Sequence, residues 1–220
     1  MTPPPPLSYK PPKGEISIIY HDDDILVLDK PSGLLSVPGK SDDHKDCLES
    51  RIQVDFPSAR IVHRLDMDTS GLIIMALNGD AHRHLGLQFE RRHIGKTYQA
   101  RVWGNIAEDE GIIDLPLRCD WPNRPRQMVD HEEGRSALTH FDVVARDEAS
   151  TRVSLHPKTG RSHQLRVHML ELGHPILGDN LYAHEAALKA SKRLCLHAEK
   201  IELFHPNGGA RLSFEAECPF

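Results

Sequence analysis

The chain contains no apolar run approaching the ~18 residues that suggest a membrane span. Nor does its beginning carry the charged segment and apolar core of a secretory leader. Residues 1–13 are rich in proline and read as a flexible, partly polyproline arm, with one compact catalytic-size domain expected from 14 to 220. There is no C-x-x-C pair: Cys47, Cys119, Cys195 and Cys218 lie far apart, which argues against a zinc or redox motif and fits a reduced, cytoplasmic setting. No internal repeat, heptad pattern, G-x-G-x-x-G or Walker loop is present. Surplus positive charge is missing too. Lys and Arg total 27 against 32 Asp and Glu, a formal net charge of −5, which taken as a sum speaks against nucleic-acid binding.

The distribution of charge says something different from its sum. From Thr151 to Leu170 there is no acid, while Arg152, Lys158, Arg161 and Arg166 are basic. From Ala81 to Arg101 the single acid is Glu90, among Arg83, Arg91, Arg92, Lys96 and Arg101. Acids gather elsewhere, as in Asp22-Asp23-Asp24. A polarised surface is therefore expected, against the plain alternative of solvated faces with chance clustering.

Hydrophobic periodicity predicts short strands at 16–19 and 25–28, a helix over 44–56 carrying Leu48, Ile52 and Phe56, and a buried strand over 72–77. Asn78 to Asp80 read as the cap of a helix with Ala81, Leu85 and Phe89 on one face. Tyr98, Ala100 and Val102 alternate with polar residues, as in a strand. Further strands are expected around 137–145, 152–155, 194–197, 200–204 and 211–215, and a helix over 162–172 with Leu165, Met169 and Leu172 facing inward. Strands outnumber helices without alternating with them, which favours an α+β fold with a mixed, largely antiparallel sheet.

Three segments carry candidate chemistry. His63-Arg64-Leu65-Asp66-Met67-Asp68-Thr69-Ser70-Gly71-Leu72 is a polar loop running into an apolar strand. Within it Asp66 is a candidate nucleophile or general base, Arg64 could reach a phosphate, Thr69 and Ser70 could bond the loop's own backbone, and Gly71 permits a tight turn. Read alone, such a loop is more simply an ordinary turn with capping side chains. Gly160-Arg161-Ser162-His163-Gln164-Leu165-Arg166 reads as a helix start whose free N–H groups beside Arg161 suit a phosphate. Arg166, one turn on, would keep Asp66 ionised if it pointed there; a basic surface helix is the alternative. His163 and His168 are five apart, which does not suit a helical metal pair, and no metal is expected. Tyr98 in Lys96-Thr97-Tyr98 could stack on a base and relay a proton, although a tyrosine on a strand is usually core.

Taken in order, Lys30-Pro31-Ser32-Gly33-Leu34, His63-Arg64-Leu65-Asp66 with Thr69-Ser70-Gly71-Leu72, Lys96-Thr97-Tyr98, Gly160 to His168, Gly173-His174-Pro175-Ile176 and Gly178-Asp179 resemble the motifs of the RluA family of RNA pseudouridine synthases. The resemblance spans about Ile16 to Phe214. It implies a mixed, mostly antiparallel sheet core with flanking helices and an active cleft between two halves. It also implies Asp66, Tyr98 and Arg166 as catalytic residues, and Arg64, Arg161 and His63 as RNA-binding ones. No cofactor is implied, since the product is an isomer of the substrate. The partner would be structured RNA, and the protein a monomer without an S4 module. Asp120-Trp121-Pro122-Asn123-Arg124-Pro125 is similar to a segment of the RluA subgroup, which modifies a large-subunit ribosomal RNA hairpin loop and transfer RNA anticodon stem-loops. Two other readings compete. Asp66-Met67-Asp68-Thr69 also resembles the two-aspartate motif of haloacid-dehalogenase-type phosphatases, but Val62-His63-Arg64-Leu65 makes a poor buried strand before it. A non-catalytic RNA-binding factor is the third.

Overall fold

The computed structural model describes residues 9–220. In chain order the elements are β1 (Ser17–His21), β2 (Ile25–Lys30), α1 (Leu48–Ile52), β3 (Arg60–Ile61), β4 (Ser70–Ala76), α2 (Gly79–Glu90), β5 (Gly95–Trp103) and β6 (Glu110–Asp114). Then come β7 (Leu117–Cys119), β8 (Gln127–Val129), β9 (Leu138–Arg146), β10 (Ser150–Pro157), α3 (Gln164–Glu171), α4 (Glu185–Lys189), β11 (Leu196–Phe204) and β12 (Arg211–Glu215). One sheet runs β1-β2-β4-β11-β5-β10-β9-β6, with β3 beside β4 and β12 beside β11, and β7 and β8 form a separate hairpin. The fold is thus the expected mixed, mostly antiparallel sheet with few helices.

The apolar run of β4 is continuous because both its faces are covered. Leu72, Ile74 and Ala76 pack with Ile25 and Val27 of β2 against Ala81 and Leu85 of α2. Ile73 and Met75 pack with Leu26 and Leu28 against Leu48 and Ile52 of α1. Across the sheet, Ala100, Val102, Val153 and Leu155 of β5 and β10 pack against Leu165 and Met169 of α3. Asn78 caps α2 as expected, its side-chain oxygen accepting the Ala81 N–H at 2.9 Å.

The two halves meet where β4 pairs with β11, the one parallel pairing among the described residues, with Ser70 opposite His197 and Gly71 opposite Ala198. Ala198 is also the register partner of Tyr98 in β5. The catalytic-type loop before β4 and the Tyr98 ring on β5 are therefore separated by a single strand. Gly71 is required by this junction: its φ is +109°, and a Cβ there would lie 2.3 Å from the Ala198 carbonyl oxygen. Ser70 does not bond its own loop, as the sequence suggested, but reaches across the junction. Its hydroxyl sits 2.8 Å from His197 Nδ1 and accepts from Arg193.

Other expectations are corrected in detail. Residues 1–8 of the proline-rich arm lie outside the described residues, but Tyr9 is anchored: its hydroxyl donates to the Asp46 carbonyl at 2.7 Å and accepts the Leu35 N–H. The helix expected over 44–56 begins only after an extended Cys47 (φ −151°), whose sulfur accepts the Ser50 N–H. The strands expected at 194–197 and 200–204 are one strand, β11, whose register slips between Ala198 and Lys200. Leu172 does not face inward but is 36% exposed, whereas Val167 and His168 are buried.

Two buried histidines tie elements together. His168 lies between the Thr139 hydroxyl at Nδ1 (2.9 Å) and the Leu115 carbonyl at Nε2 (3.1 Å). His197 lies between Ser70 and the Ala216 carbonyl in the same way. Burial lowers both from the usual histidine value of 6.5. The unfolded chain therefore takes up these protons first as pH falls, so the stability they confer is present above about 6.5 and is lost below it. The urea midpoint is expected to drop between pH 7.5 and 5.5, and to drop less in His168→Gln; equal slopes in the two proteins would contradict this.

Candidate active site

The loop between β3 and β4 is pinned from beneath by the turn that follows β2. Lys30, fully buried, donates from Nζ to the carbonyls of Pro31 (3.0 Å), Leu34 (2.8 Å) and Met67 (3.0 Å). The Gly33 N–H also donates to Met67, at 2.9 Å, and the Ser32 hydroxyl donates to the Asp68 carbonyl at 2.7 Å. Ser36 holds Leu65 through both its N–H and its carbonyl. The backbone on either side of Asp66 is thus fixed by a second loop. Burial pushes the Lys30 amine down to about 7, against the pull of Asp68 and Asp66. Three acceptors at hydrogen-bonding distance match the three protons of the charged form.

Asp66 opens into a cleft of about 900 Å³, with its side chain 27% exposed. Arg166, on α3, places Nη1 3.6 Å from Asp66 Oδ2. The expected pairing is there, but it is not the arginine's main bond. Arg166 is held by Asp179, Nε to Oδ2 at 2.8 Å and Nη2 to Oδ1 at 2.6 Å, and both side chains are buried. Asp179 Oδ1 also accepts the N–H groups of Leu181 and Tyr182. Asn180 bridges onward, accepting from Arg166 at 3.3 Å and donating to Asp68 at 3.2 Å. Asp179 was visible in the sequence only as part of a motif, with no role attached. A fully buried carboxylate in a Gly-Asp turn is the signal that only the structure supplies. Gly178 makes the turn possible: at φ +72° a Cβ would lie 1.9 Å from the Arg193 carbonyl oxygen.

Tyr98 lines the same cleft, and burial together with the nearby Asp66 charge raises its phenol above the ordinary value. It is a protonated, largely apolar ring beside a carboxylate. Arg64 is exposed and, among the described residues, has no hydrogen-bond or ion-pair partner. Arg161 also borders the cleft, its Nε donating to the Ser136 carbonyl at 3.0 Å.

Two expectations change. His63 lines the cleft but is also held within the protein: its ring stacks on Phe89 at 4.6 Å and its Nε2 accepts the Ile74 N–H at 2.9 Å. Burial holds it down at about 3, so it is a neutral strut between the loop and β4. At the start of α3, where a phosphate site was expected, the Arg161 N–H is already taken: Gln164 Oε1 accepts it (3.0 Å) together with the Thr159 hydroxyl (2.8 Å). His163, which the sequence singled out only as a poor metal ligand, stands beside Asp66, with Nε2 4.0 Å from Oδ1.

The charge expectation is met locally. The cleft is lined by Arg64, Arg92, Lys96, Arg135, Lys158 and Arg161, against Asp66, Asp68 and Glu90. Both basic stretches of the sequence converge on it although the chain is acidic overall. One three-residue group with metal-ligand spacing, Asp22–Asp24–His205, lies outside the cleft lining, and Asp22 already bonds Tyr20, His205 and two backbone N–H groups.

Residues 24–171 match the family model described as RNA pseudouridylate synthase. The chain is 56% identical over 204 residues to the dual-specificity RNA pseudouridine synthase RluA of Yersinia pestis, covering 92% of this chain and 99% of that one. The chain belongs to the RNA pseudouridylate synthase family. It is likewise 53% identical to the Escherichia coli K12 protein of the same name, covering 97% of this chain and 98% of the relative. In structure it is similar to human RNA pseudouridylate synthase domain containing 1, with a TM-score of 0.80, 29% identity, and coverage of 96% of this chain and 87% of the other. The enzyme is an isomerase of RNA uridine, and the phosphatase reading is not favoured. In keeping with this, Asp66 lies in a loop that leads into β4 instead of closing an apolar strand. No helix of the described residues is long and apolar enough to cross a membrane.

Asp179→Ala removes both short bonds from the buried Arg166 guanidinium, leaving it the longer contacts with Asp66 and Asn180, and is expected to cost about 3–5 kcal/mol. Lys30→Met takes a donor from three carbonyls, of which Met67 keeps the Gly33 N–H, and is expected to cost about 2–4 kcal/mol. Urea denaturation checks both; a loss under about 1 kcal/mol in either would show that water or a rearranged loop replaces the lost partner.

Proposed function

We propose that the enzyme isomerises specific uridines to pseudouridine in a hairpin loop of large-subunit ribosomal RNA and in transfer RNA anticodon stem-loops, acting as a cytoplasmic monomer. The observation that carries the assignment of roles is Asp66 itself: a carboxylate at the cleft, its backbone clamped on both sides, 3.6 Å from a buried arginine that Asp179 fixes in place. The dual substrate is supported by the relatives' shared name and by Asp120 to Pro125, which forms the β7–β8 loop and sends Pro125 to the cleft.

Phosphates of the RNA settle on the basic rim, where each neutralised charge releases counterions. The target base is flipped out of its stack, at a cost of a few kcal/mol that is smallest in a loop. Arg64, exposed and without a partner among the described residues, fills the vacated space. Asp66 then acts at the ribose to break the N-glycosidic bond, with the Arg166 guanidinium fixed 3.6 Å from its carboxylate. The uracil turns within the cleft and rejoins through C5. Tyr98 packs on the freed ring, and its phenol, held protonated by burial, assists transfer of the C5 proton.

The test is tritium release from RNA labelled at uridine C5, with ribosomal and transfer RNA transcripts assayed separately. Asp66→Asn is expected to lower turnover by roughly 10³-fold or more with RNA binding little changed. Near-normal release from the variant would remove Asp66 from its role. Arg64→Ala is expected to lower turnover without lowering the urea midpoint. Release from one RNA class alone would restrict the substrate to that class.

A further inference from the structure

We propose that His163 is a positioning residue for the Asp66 carboxylate, fixed in its Nε2–H tautomer by Tyr182 and, through Tyr182, by the backbone of the β7–β8 hairpin. This deepens the isomerase reading and rests on it.

The first observation is a backbone outlier. His163 has φ +54°, in the left-handed region, a conformation it shares with only Arg92 among the described non-glycine residues. It stands at the N-cap position of α3, yet its side chain makes no capping bond. A non-glycine residue held in this way is strained, and such strain gathers at functional sites. Here the ring points into the cleft instead of folding back on its own helix, between Tyr182 and Asp66.

The second observation is direction. The Tyr182 oxygen accepts the Gln127 backbone N–H at 2.8 Å. Its own proton is then free to donate to His163 Nδ1, 2.7 Å away. With Nδ1 accepting, the proton of the neutral imidazole must sit on Nε2. That nitrogen faces Asp66 Oδ1 at 4.0 Å, while Arg166 faces Oδ2 at 3.6 Å. Each carboxylate oxygen thus faces one N–H-bearing nitrogen. Both contacts are longer than hydrogen bonds, as catalytic contacts often are before substrate closes the site. Burial supports the assignment: it lowers His163 and raises the Tyr182 phenol to about 12, so that both hold their neutral forms.

The third observation is where the chain of bonds starts. Gln127 is the first residue of β8, directly after the loop that carries Trp121, 64% exposed, with the Arg124 guanidinium 4.7 Å from its ring. Arg126 lies over the Tyr182 ring at 5.3 Å. An exposed aromatic capped by a guanidinium is a surface on which an unstacked base can lie. RNA that displaces this hairpin would move the N–H that orients Tyr182, and with it the donor beside Asp66. The hairpin is therefore connected to the catalytic carboxylate through two side chains.

The experiment uses the full chain labelled with nitrogen-15. Two-bond nitrogen–proton correlations, assigned by their loss in His163→Gln, should show His163 neutral with its proton on Nε2, and a mixture of tautomers in Tyr182→Phe. That variant keeps the ring beside Arg166 and removes only the hydroxyl. Its single-turnover rate on saturating RNA is expected to fall about tenfold, with RNA affinity changed less than about twofold. His163→Leu should fall further, and His163→Gln, whose amide can place an N–H near the same point, should retain about tenfold more activity than His163→Leu. A proton on Nδ1, a Tyr182→Phe enzyme at the wild-type rate, or equal rates for the Gln and Leu variants would each overturn the proposal. If the wild-type chain forms no pseudouridine, the isomerase reading fails instead, and the wild-type spectrum alone then upholds or overturns the tautomer assignment.

Discussion

A guanidinium buried to 3% exposure cannot be tolerated without a partner, and in this enzyme the partner is Asp179, not the residue it serves. Two short bonds fix the plane of Arg166, and two backbone N–H groups fix Asp179 in turn. Because the arginine is already satisfied, it can lie beside Asp66 without collapsing onto it. The catalytic-type carboxylate keeps part of its surface open to the cleft and still feels a fixed positive charge. Had Asp66 been the only anion near Arg166, the pair could have closed on itself and hidden the carboxylate that we propose meets the substrate.

The rest of the site follows the same logic of borrowed rigidity. The Asp66 loop has no regular structure of its own, so its position comes from Lys30, Ser32, Gly33 and Ser36 beneath it, and from His63 and Phe89 beside it. These bonds are to backbone atoms, which leaves the side chains of Arg64 and Asp66 free. The parallel seam between β4 and β11 then sets the distance from this loop to Tyr98, through close packing that only Gly71 permits. A site assembled from loops on rigid strands needs little reorganisation when substrate arrives.

Electrostatics show why net charge is a weak guide to partners. The chain carries an excess of acid, yet the cleft gathers Lys96 from β5 and Arg92, Arg135, Lys158 and Arg161 from the segments between elements. Acids such as Asp22 and Asp147 are consumed in local turns and ion pairs away from it. Affinity for a polyanion depends on the field at the surface it meets, and that field is screened within about 10 Å.

Much of this was legible in the sequence, for a definite reason. Strand and helix positions are set by periodicity and caps: the apolar run of β4, the alternation around Tyr98 and the Asn78 cap each act locally. The ordered motifs likewise identified the family, because the residues that carry chemistry are constrained in type and spacing. What only the tertiary structure decided were matters of partnership across the chain. No local rule tells that Arg166 bonds Asp179 more tightly than Asp66, that His63 spends its acceptor on Ile74, or that Ser70 reaches His197. Those outcomes depend on which backbone groups the sheet leaves unpaired and which charges it buries, and such groups are distant in sequence until the fold brings them within hydrogen-bonding reach.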